Sequence, residues 1–203
     1  MRDRWYGDHR DLIKWGGLLE IARLHKSQHI LQVAYYRKCL WERIEVGDKL
    51  VDIAPDVMRH FRNVSQIEKL GGEVSIGVVS ESFDDRGKYL QIVLSAVKAI
   101  GKSPRIVFFD PDTGLEPLSE KSGPTHTLES ELAEIWKSLS QGDVLALYQH
   151  QTNRAGKPWV EEKQSQFERV LHVSSKIVRA AEPRSKDFAA LPRDVVIFYA
   201  VRP

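Results

Sequence analysis

Two acids that directly follow an apolar run are the residues best suited to chemistry. The run Ile106-Val107-Phe108-Phe109 leads into Asp110-Pro111-Asp112-Thr113-Gly114. A continuous apolar run predicts a central parallel strand covered on both faces, here over residues 105–110. Pro111 restricts Asp110 to extended backbone, and Gly114 can adopt the positive φ of a turn. Carboxylates at such a strand end can accept protons, bind an amine or ribose hydroxyls, or hold a cation.

A second polar group follows the strand predicted over residues 143–149. Six consecutive hydrogen-bonding residues stand there, Tyr148-Gln149-His150-Gln151-Thr152-Asn153, and Arg154 comes next. His150 can act as an acid or a base near neutral pH, although a lone histidine is more often structural. Arg154 can contact phosphate. Because ligands of open α/β sheets bind beyond the carboxyl ends of the strands, we expect this group to lie beside Asp110.

The start of the chain carries a third dense group of polar and aromatic residues, Tyr6-Gly7-Asp8-His9-Arg10-Asp11-Leu12-Ile13-Lys14-Trp15. It opens a helix predicted over residues 8–24 from apolar residues at three- and four-residue steps. Asp11 and Lys14 are one turn apart and can share a face of that helix. These residues could bind a ligand; alternatively, they form only a capped helix start that is exposed to solvent. Gly16-Gly17 in the middle of this helix indicates close approach by another group.

The remaining pattern predicts one α/β domain over residues 1–203. Further helices are predicted over residues 55–70, from Asp84 or Asp85 to 100, 128–139 with Thr127 as cap, and 158–171. Further strands are predicted over residues 29–36, 49–53, 73–80, 176–181 and 194–202, and residues 113–127 are predicted as a loop. Alternation of strands and helices predicts a Rossmann-like, mostly parallel sheet with helices on both faces. The last two strands, with no helix between them, predict an antiparallel hairpin.

Composition narrows the class of protein only slightly. The chain has 203 residues, and 30 Lys and Arg stand against 28 Asp and Glu, a net charge of +2. That balance neither requires nor excludes a nucleic-acid partner. Cys39 is the single cysteine, so no intrachain disulfide can form. With no signal peptide and no apolar run of membrane-spanning length, we expect a cytoplasmic protein without a membrane partner. The oligomeric state is left open.

The predicted order of elements resembles the class I S-adenosylmethionine-dependent methyltransferase fold, above all in its final β-α-β-β segment over residues 143–202. Asp110-Pro111 resembles the start of the Asp-Pro-Pro-aromatic motif of amino-methyltransferases, where Asp112-Thr113 replaces the second proline and the aromatic residue. Gly7, Asp11 and Lys14 resemble the Gly-Asn-x-Ala-Asp-x-x-Lys-His segment of a family of ribosomal-RNA adenine methyltransferases. A related Lys-His segment opens the three-Cys-motif partner proteins.

The resemblance implies a methyltransferase-like enzyme that uses S-adenosylmethionine and acts on a nucleic acid or a nucleotide. Its acid would accept a hydrogen bond from the target amine, and Asp110 matches that acid. Asp112 and His150, at the predicted strand ends, are the other catalytic candidates. Glu81 and Tyr36 are the candidates for cofactor binding. The candidates for substrate binding are Tyr6, Asp8, Arg10, Asp11, Lys14, Pro111, Thr113, Gly114, Tyr148, Gln149 and Arg154.

Two other functions remain open, because the first strand is not followed by the Gly-rich turn of methyltransferases. Bulky residues stand there instead, in the segment Val33-Ala34-Tyr35-Tyr36-Arg37. One alternative is a metal-dependent hydrolase or nuclease, in which Asp110 and Asp112 hold Mg²⁺ or Mn²⁺. The other is a non-catalytic binding module of the methyltransferase fold. Phosphate-loop, nucleophile-elbow and zinc-binding motifs are absent from the sequence.

Overall fold

The computed structural model describes residues 9–37, 42–57, 64–70, 72–101, 104–118, 123–151, 158–179 and 194–203. Its helices are α1 (His9–His25), α2 (Arg86–Ala99), α3 (Glu129–Ser138) and α4 (Trp159–Leu171), with a 3-10 helix at Val64–Leu70. Its strands are β1 (His29–Val33), β2 (Arg43–Val46), β3 (Lys49–Asp52), β4 (Ser75–Val79), β5 (Arg105–Phe109), β6 (Gly114–Leu115), β7 (His126–Thr127), β8 (Val144–His150), β9 (Lys176–Val178) and β10 (Val195–Val201).

The main sheet has six strands in the order β4-β1-β5-β8-β10-β9. Strands β4, β1, β5 and β8 run parallel, whereas β10 pairs antiparallel with both β8 and β9. The predicted α/β class and mostly parallel sheet are therefore confirmed. The last two strands do pair antiparallel; β10 is an internal strand of the sheet, and β9 is its edge strand.

Helices cover both faces of this sheet, as its buried and mostly apolar central strands require. Val107 and Phe109 of β5 belong to a core with residues of α2, α3 and α4. Ile106 and Phe108, which alternate with them, belong to a second core with α1 and the 3-10 helix. The period-two alternation of side chains along β5 thus splits one apolar run between two cores.

Local polar contacts set the helix starts. Asp85 is the N-cap of α2, and its side chain accepts a hydrogen bond from the Lys88 N–H, as the sequence predicts. Thr127 was the wrong cap for α3, because that residue pairs in β7 and the N-cap is the next residue, Leu128. The Glu131 side chain accepts from the Leu128 N–H at 2.9 Å, as the third residue of a helix does in a capping box.

Several element boundaries differ from the predicted ones. The first strand ends at Val33 rather than Tyr36, and the region predicted as a loop over residues 113–127 contains the short parallel pair β6–β7. Strands β2 and β3 form an exposed antiparallel hairpin, of which only β3 was predicted. The helix predicted over residues 55–70 is helical at residues 55–57 and a 3-10 helix at Val64–Leu70.

The two glycines of α1 have different surroundings. A Cβ at Gly17 would lie 2.7 Å from Cγ1 of Val178, so β9 supplies the close approach that the sequence indicates. Gly16 faces open space, and no contact explains it. Among the described helices, none combines the length and apolar character needed to cross a bilayer.

Candidate functional site

The predicted site residues that the structure describes meet at one edge of the main sheet. The carboxyl ends of β1, β5 and β8 lie there because these strands are parallel and in register. Asp194 lies at the same edge, since β10 is antiparallel and the Gln151 N–H donates to the Asp194 carbonyl at 2.7 Å. The first turns of α1 reach this edge and bring Arg10, Asp11 and Lys14 to it.

A buried ion pair between Lys14 and Asp110 forms the floor of the site. The Lys14 Nζ lies 3.1 Å from Asp110 Oδ1 and 2.8 Å from Asp11 Oδ1. The Gln32 Nε2 donates to Asp110 Oδ2 at 2.7 Å. Asp110 is only 2% exposed, so its carboxylate interacts chiefly with protein groups. This arrangement gives a buried negative charge both a cation and a neutral donor.

The lysine of this pair stays charged. Burial alone lowers the pKa of Lys14, but the carboxylates of Asp110 and Asp11 raise it by more, so its pKa lies above the usual lysine value. Its ammonium also lies 4.7 Å from the centroid of the Tyr148 ring, a cation–π contact. Lys14 is therefore a fixed positive charge and not a proton acceptor at neutral pH.

Two further groups of charged residues form the rim of the site. Arg37 donates to Asp112, and both side chains are partly buried. On the other side, Arg10 Nη2 donates to Asp194 Oδ2 at 2.8 Å, and His150 Nδ1 lies 3.7 Å from the same oxygen. We call Arg37, Asp112, Arg10, Asp194 and His150 the rim. Burial alone raises the pKa of Asp194, but the Arg10 hydrogen bond and charge and the nearby His150 lower it overall.

Gln149 and Gly114, both predicted to bind substrate, hold the loop after β5 in place. Gln149 Oε1 accepts from the Leu115 N–H at 2.8 Å, and its Nε2 donates to the Thr113 and His150 carbonyls. Gly114 has a φ of 125°, and a Cβ there would lie 2.2 Å from Gln149 Oε1. The glycine is needed both for its backbone angle and for the space that Gln149 fills.

The other candidates are distributed as follows. Pro111 is buried next to Asp110, Thr113 is partly buried, and Tyr148 is buried beneath Lys14. Glu81 is exposed and follows β4. Tyr6, Asp8 and Arg154 lie outside the described residues.

Sequence reasoning missed three members of the site: Gln32, Arg37 and Asp194. Gln32 had a usable signal, because it is a lone amide inside the apolar strand His29–Val33 and is almost fully buried. A polar side chain in such a strand needs a hydrogen-bonding partner, and Asp110 is that partner. The Arg37–Asp112 and Arg10–Asp194 contacts carry no comparable sequence signal, because they join residues 75 and 184 positions apart.

The turn after β1 has an unusual backbone. Tyr35 has a φ of 47°, in the left-handed region, and is 2% exposed. Its N–H donates to the Tyr89 hydroxyl at 2.9 Å, and the Tyr36 carbonyl accepts from the Phe83 N–H at 2.8 Å. A methionine-bearing cofactor that lies against the backbone of this turn needs glycine and open amides, so these residues do not fit S-adenosylmethionine in that pose.

The carboxylates of Asp110 and Asp112 are also poorly placed to bind a divalent cation. Both Asp110 oxygens lie near the Lys14 ammonium, and Asp112 is paired with the Arg37 guanidinium. Positive charges in these positions repel a metal ion that would use the same carboxylates. Within the described ranges, no three Asp, Glu, His or Cys residues come together in a way that could hold a metal.

No family model matches the chain, and no curated protein matches its sequence. The function must therefore be inferred from the geometry and charge of the site itself.

Proposed function

We propose that this chain is a methyltransferase-like binding protein whose ligand is a nucleotide or a nucleic acid, held at the rim above the Lys14–Asp110 pair. The observation that carries the proposal is the rim itself, with two arginines, two carboxylates and a histidine at one sheet edge. This edge is where open α/β sheets bind their ligands. The parallel sheet that ends in an antiparallel strand pair supports a relationship to the methyltransferase fold.

The mixture of charges at the rim suits a ligand that has both phosphate and base or ribose groups. The guanidinium groups of Arg10 and Arg37 can bind phosphate oxygens in place of their present carboxylate partners. The carboxylates of Asp112 and Asp194 can then accept hydrogen bonds from amino or hydroxyl groups. A purely anionic ligand would leave the carboxylates without a complement, and a purely apolar ligand would leave all of these groups without one.

The Lys14–Asp110 pair supports the rim from below. It fixes the first turns of α1 over the strand ends, so that Arg10, one turn before Lys14, reaches Asp194. Asp110 is nearly inaccessible, so direct contact with a ligand requires Lys14 to move away. We therefore assign Lys14 and Asp110 to positioning and the rim to ligand contact.

Thermal shift and calorimetry with the four nucleoside monophosphates and with short single-stranded RNA and DNA test the proposal. A ligand at 100 times its dissociation constant adds about 2.7 kcal/mol of stability, a rise in melting temperature of roughly 5–10 °C. We expect at least one of these probes to stabilise the protein and to bind more weakly as salt increases. Absence of a shift with every probe would contradict the proposal.

Matched arginine variants locate the binding. Arg10→Gln and Arg37→Gln should each weaken nucleotide or oligonucleotide binding by about tenfold, the loss of one charged phosphate contact. The control is Arg169→Gln, because Arg169 also pairs with a carboxylate, Glu129 at 2.7 Å, but lies on α4. Equal losses in all three variants would indicate nonspecific attraction to positive charge instead of a site at the rim.

Methyl transfer is the second candidate function, favoured by the placement of Asp110-Pro111 at the carboxyl end of β5. In the motif that this segment resembles, the acid accepts from a target amine. The test is transfer of a labelled methyl group from S-adenosylmethionine to RNA, DNA or nucleotides, in the native protein and in Asp110→Asn. Transfer that Asp110→Asn abolishes would replace the binding proposal with an enzyme. Absence of methyl transfer, together with nucleotide binding, would support the binding proposal.

A further inference from the structure

The turn that follows the first strand is the usual ligand-binding turn of a parallel α/β sheet. Glycines there let a ligand approach the backbone, and exposed amides bind its polar groups. In this chain the turn is Ala34-Tyr35-Tyr36, and both Ala34 and Tyr35 are buried. The contacts of Tyr35 explain why this turn has bulky, buried residues in place of glycines.

Tyr35 points into the protein and is surrounded by aromatic rings. Its ring centroid lies 4.9 Å from that of Phe83, 5.5 Å from that of Tyr89 and 6.2 Å from that of Phe109. These distances are typical of favourable aromatic pairs. A tyrosine in the left-handed backbone region costs on the order of 1 kcal/mol, and these contacts offset that cost.

Hydrogen bonds fix the same side chain at its far end. The Tyr35 hydroxyl donates to Glu131 Oε2 at 2.9 Å, and Arg86 Nη1 donates to Glu131 Oε1 at 2.8 Å. Burial, and then the negative charge of Glu131, raise the pKa of Tyr35 well above its usual value, so it remains a neutral donor. The turn after β1 is thereby tied to the first turns of α2 and α3.

The backbone groups of the turn are occupied as well. The Tyr35 N–H donates to the Tyr89 hydroxyl, which in turn donates to the Val79 carbonyl at 3.3 Å. The Phe83 N–H donates to the Tyr36 carbonyl and joins the loop after β4 to the turn after β1. A ligand would have to break these bonds before it could reach the backbone.

We infer that Tyr35 closes this turn to ligands, so that S-adenosylmethionine does not bind there and ligand binding is confined to the rim. This inference does not depend on which ligand the rim binds. It fails if the turn accepts a ligand, whereas the proposed function fails if nucleotides and nucleic acids do not bind.

Calorimetric titration with S-adenosylmethionine and S-adenosylhomocysteine tests the inference on the native protein and on Tyr35→Phe and Tyr89→Phe. Each variant keeps an aromatic ring and loses one hydroxyl of the closed turn, which favours retention of the fold. Saturable binding should be absent at the turn in all three proteins up to about 1 mM ligand, the range of very weak affinity.

Two outcomes of a positive titration separate the places where the ligand could bind. Binding to the native protein that changes about tenfold or more in Tyr35→Phe or Tyr89→Phe, but not in Arg37→Gln, would place the ligand at the turn and overturn the inference. Binding that only Arg10→Gln or Arg37→Gln weakens would place the ligand at the rim and uphold it. No saturable binding in any of the proteins would also uphold it.

Discussion

Lys14 and Asp110 are 96 positions apart in the sequence, yet the lysine ammonium lies 3.1 Å and 3.2 Å from the two carboxylate oxygens. Both side chains are buried, so each charge depends on the other. The pair joins the first turns of α1 to the carboxyl end of β5 and therefore determines where the rim residues of α1 lie. The geometry of the site and the stability of the fold are coupled at this contact.

Removal of Asp110 should be costly for stability. Asp110→Ala leaves the Lys14 ammonium buried with Asp11 as its remaining acid, and we expect a loss of about 3 kcal/mol. Urea unfolding measures this change. The double variant Lys14→Met, Asp110→Leu removes both charges and should recover most of the loss. A double variant as unstable as the sum of the two single variants would show that the pair is not coupled.

Gly114 should tolerate no side chain. Gly114→Ala places a Cβ 2.2 Å from Gln149 Oε1 at a backbone φ of 125°, so Gln149 must give up its contact with Leu115. We expect a loss of about 2 kcal/mol or more in thermal or urea unfolding. Gly16→Ala is the matched control, because its Cβ meets open space on a helix, and it should stabilise by about 0.5–1 kcal/mol. Equal effects of the two changes would contradict this account.

The opposite end of the sheet offers a change that affects stability without affecting the site. Arg105 and Asp143 form a buried ion pair at 3.0 Å at the amino ends of β5 and β8, and Arg105 also donates to the Gly101 carbonyl. Arg105→Ala should cost roughly 3–5 kcal/mol, because it leaves a buried carboxylate without its cation. Nucleotide affinity of the folded fraction should stay within about twofold of the native value. A larger change in affinity would mean that a loss of stability far from the rim is enough to weaken binding there.

Stability should fall as the pH drops below about 6.5, the usual histidine pKa. Burial, and then Lys163 and Arg86, lower the pKa of His126; burial, and then Lys176, lower the pKa of His25. The unfolded chain therefore binds more protons than the folded one between the folded pKa values and 6.5, so acid favours unfolding there. Melting temperature measured from pH 8 to pH 5 should decline, and the double variant His25→Gln, His126→Gln should flatten the decline. An unchanged slope in that variant would assign the pH dependence to other groups.

The sequence was sufficient to predict the parts of the fold that rest on burial. Ile106 to Phe109 is apolar at every position because both faces of β5 are covered, and that predicts a central strand directly. The hairpin of β2 and β3 was only half predicted. All eight of its strand residues are exposed, so no buried face imposes an alternating pattern on them.

From the sequence, only those site residues could be predicted that lie at the carboxyl ends of the parallel strands. Asp110 and Tyr148 end parallel strands, and the rule for ligand sites in such sheets brings them together. Asp194 joins them because β10 runs antiparallel beside β8, a pairing that its own residues do not encode. The turn at Tyr35 could not be predicted for the same reason. The pattern of Val33-Ala34-Tyr35-Tyr36 predicts a continuing strand, whereas the positive φ of Tyr35 accompanies its contacts with Tyr89 and Glu131.

The most direct test of the central claim is to map the amide signals that change when the best-binding nucleotide or oligonucleotide is added to isotope-labelled protein. The account predicts changes at Arg10, Arg37, Asp112, His150 and Asp194, with the amides of Arg105 and Asp143 at the opposite edge unaffected. Changes centred instead on the turn at Tyr35, on the exposed hairpin of β2 and β3 or on the opposite edge would contradict it.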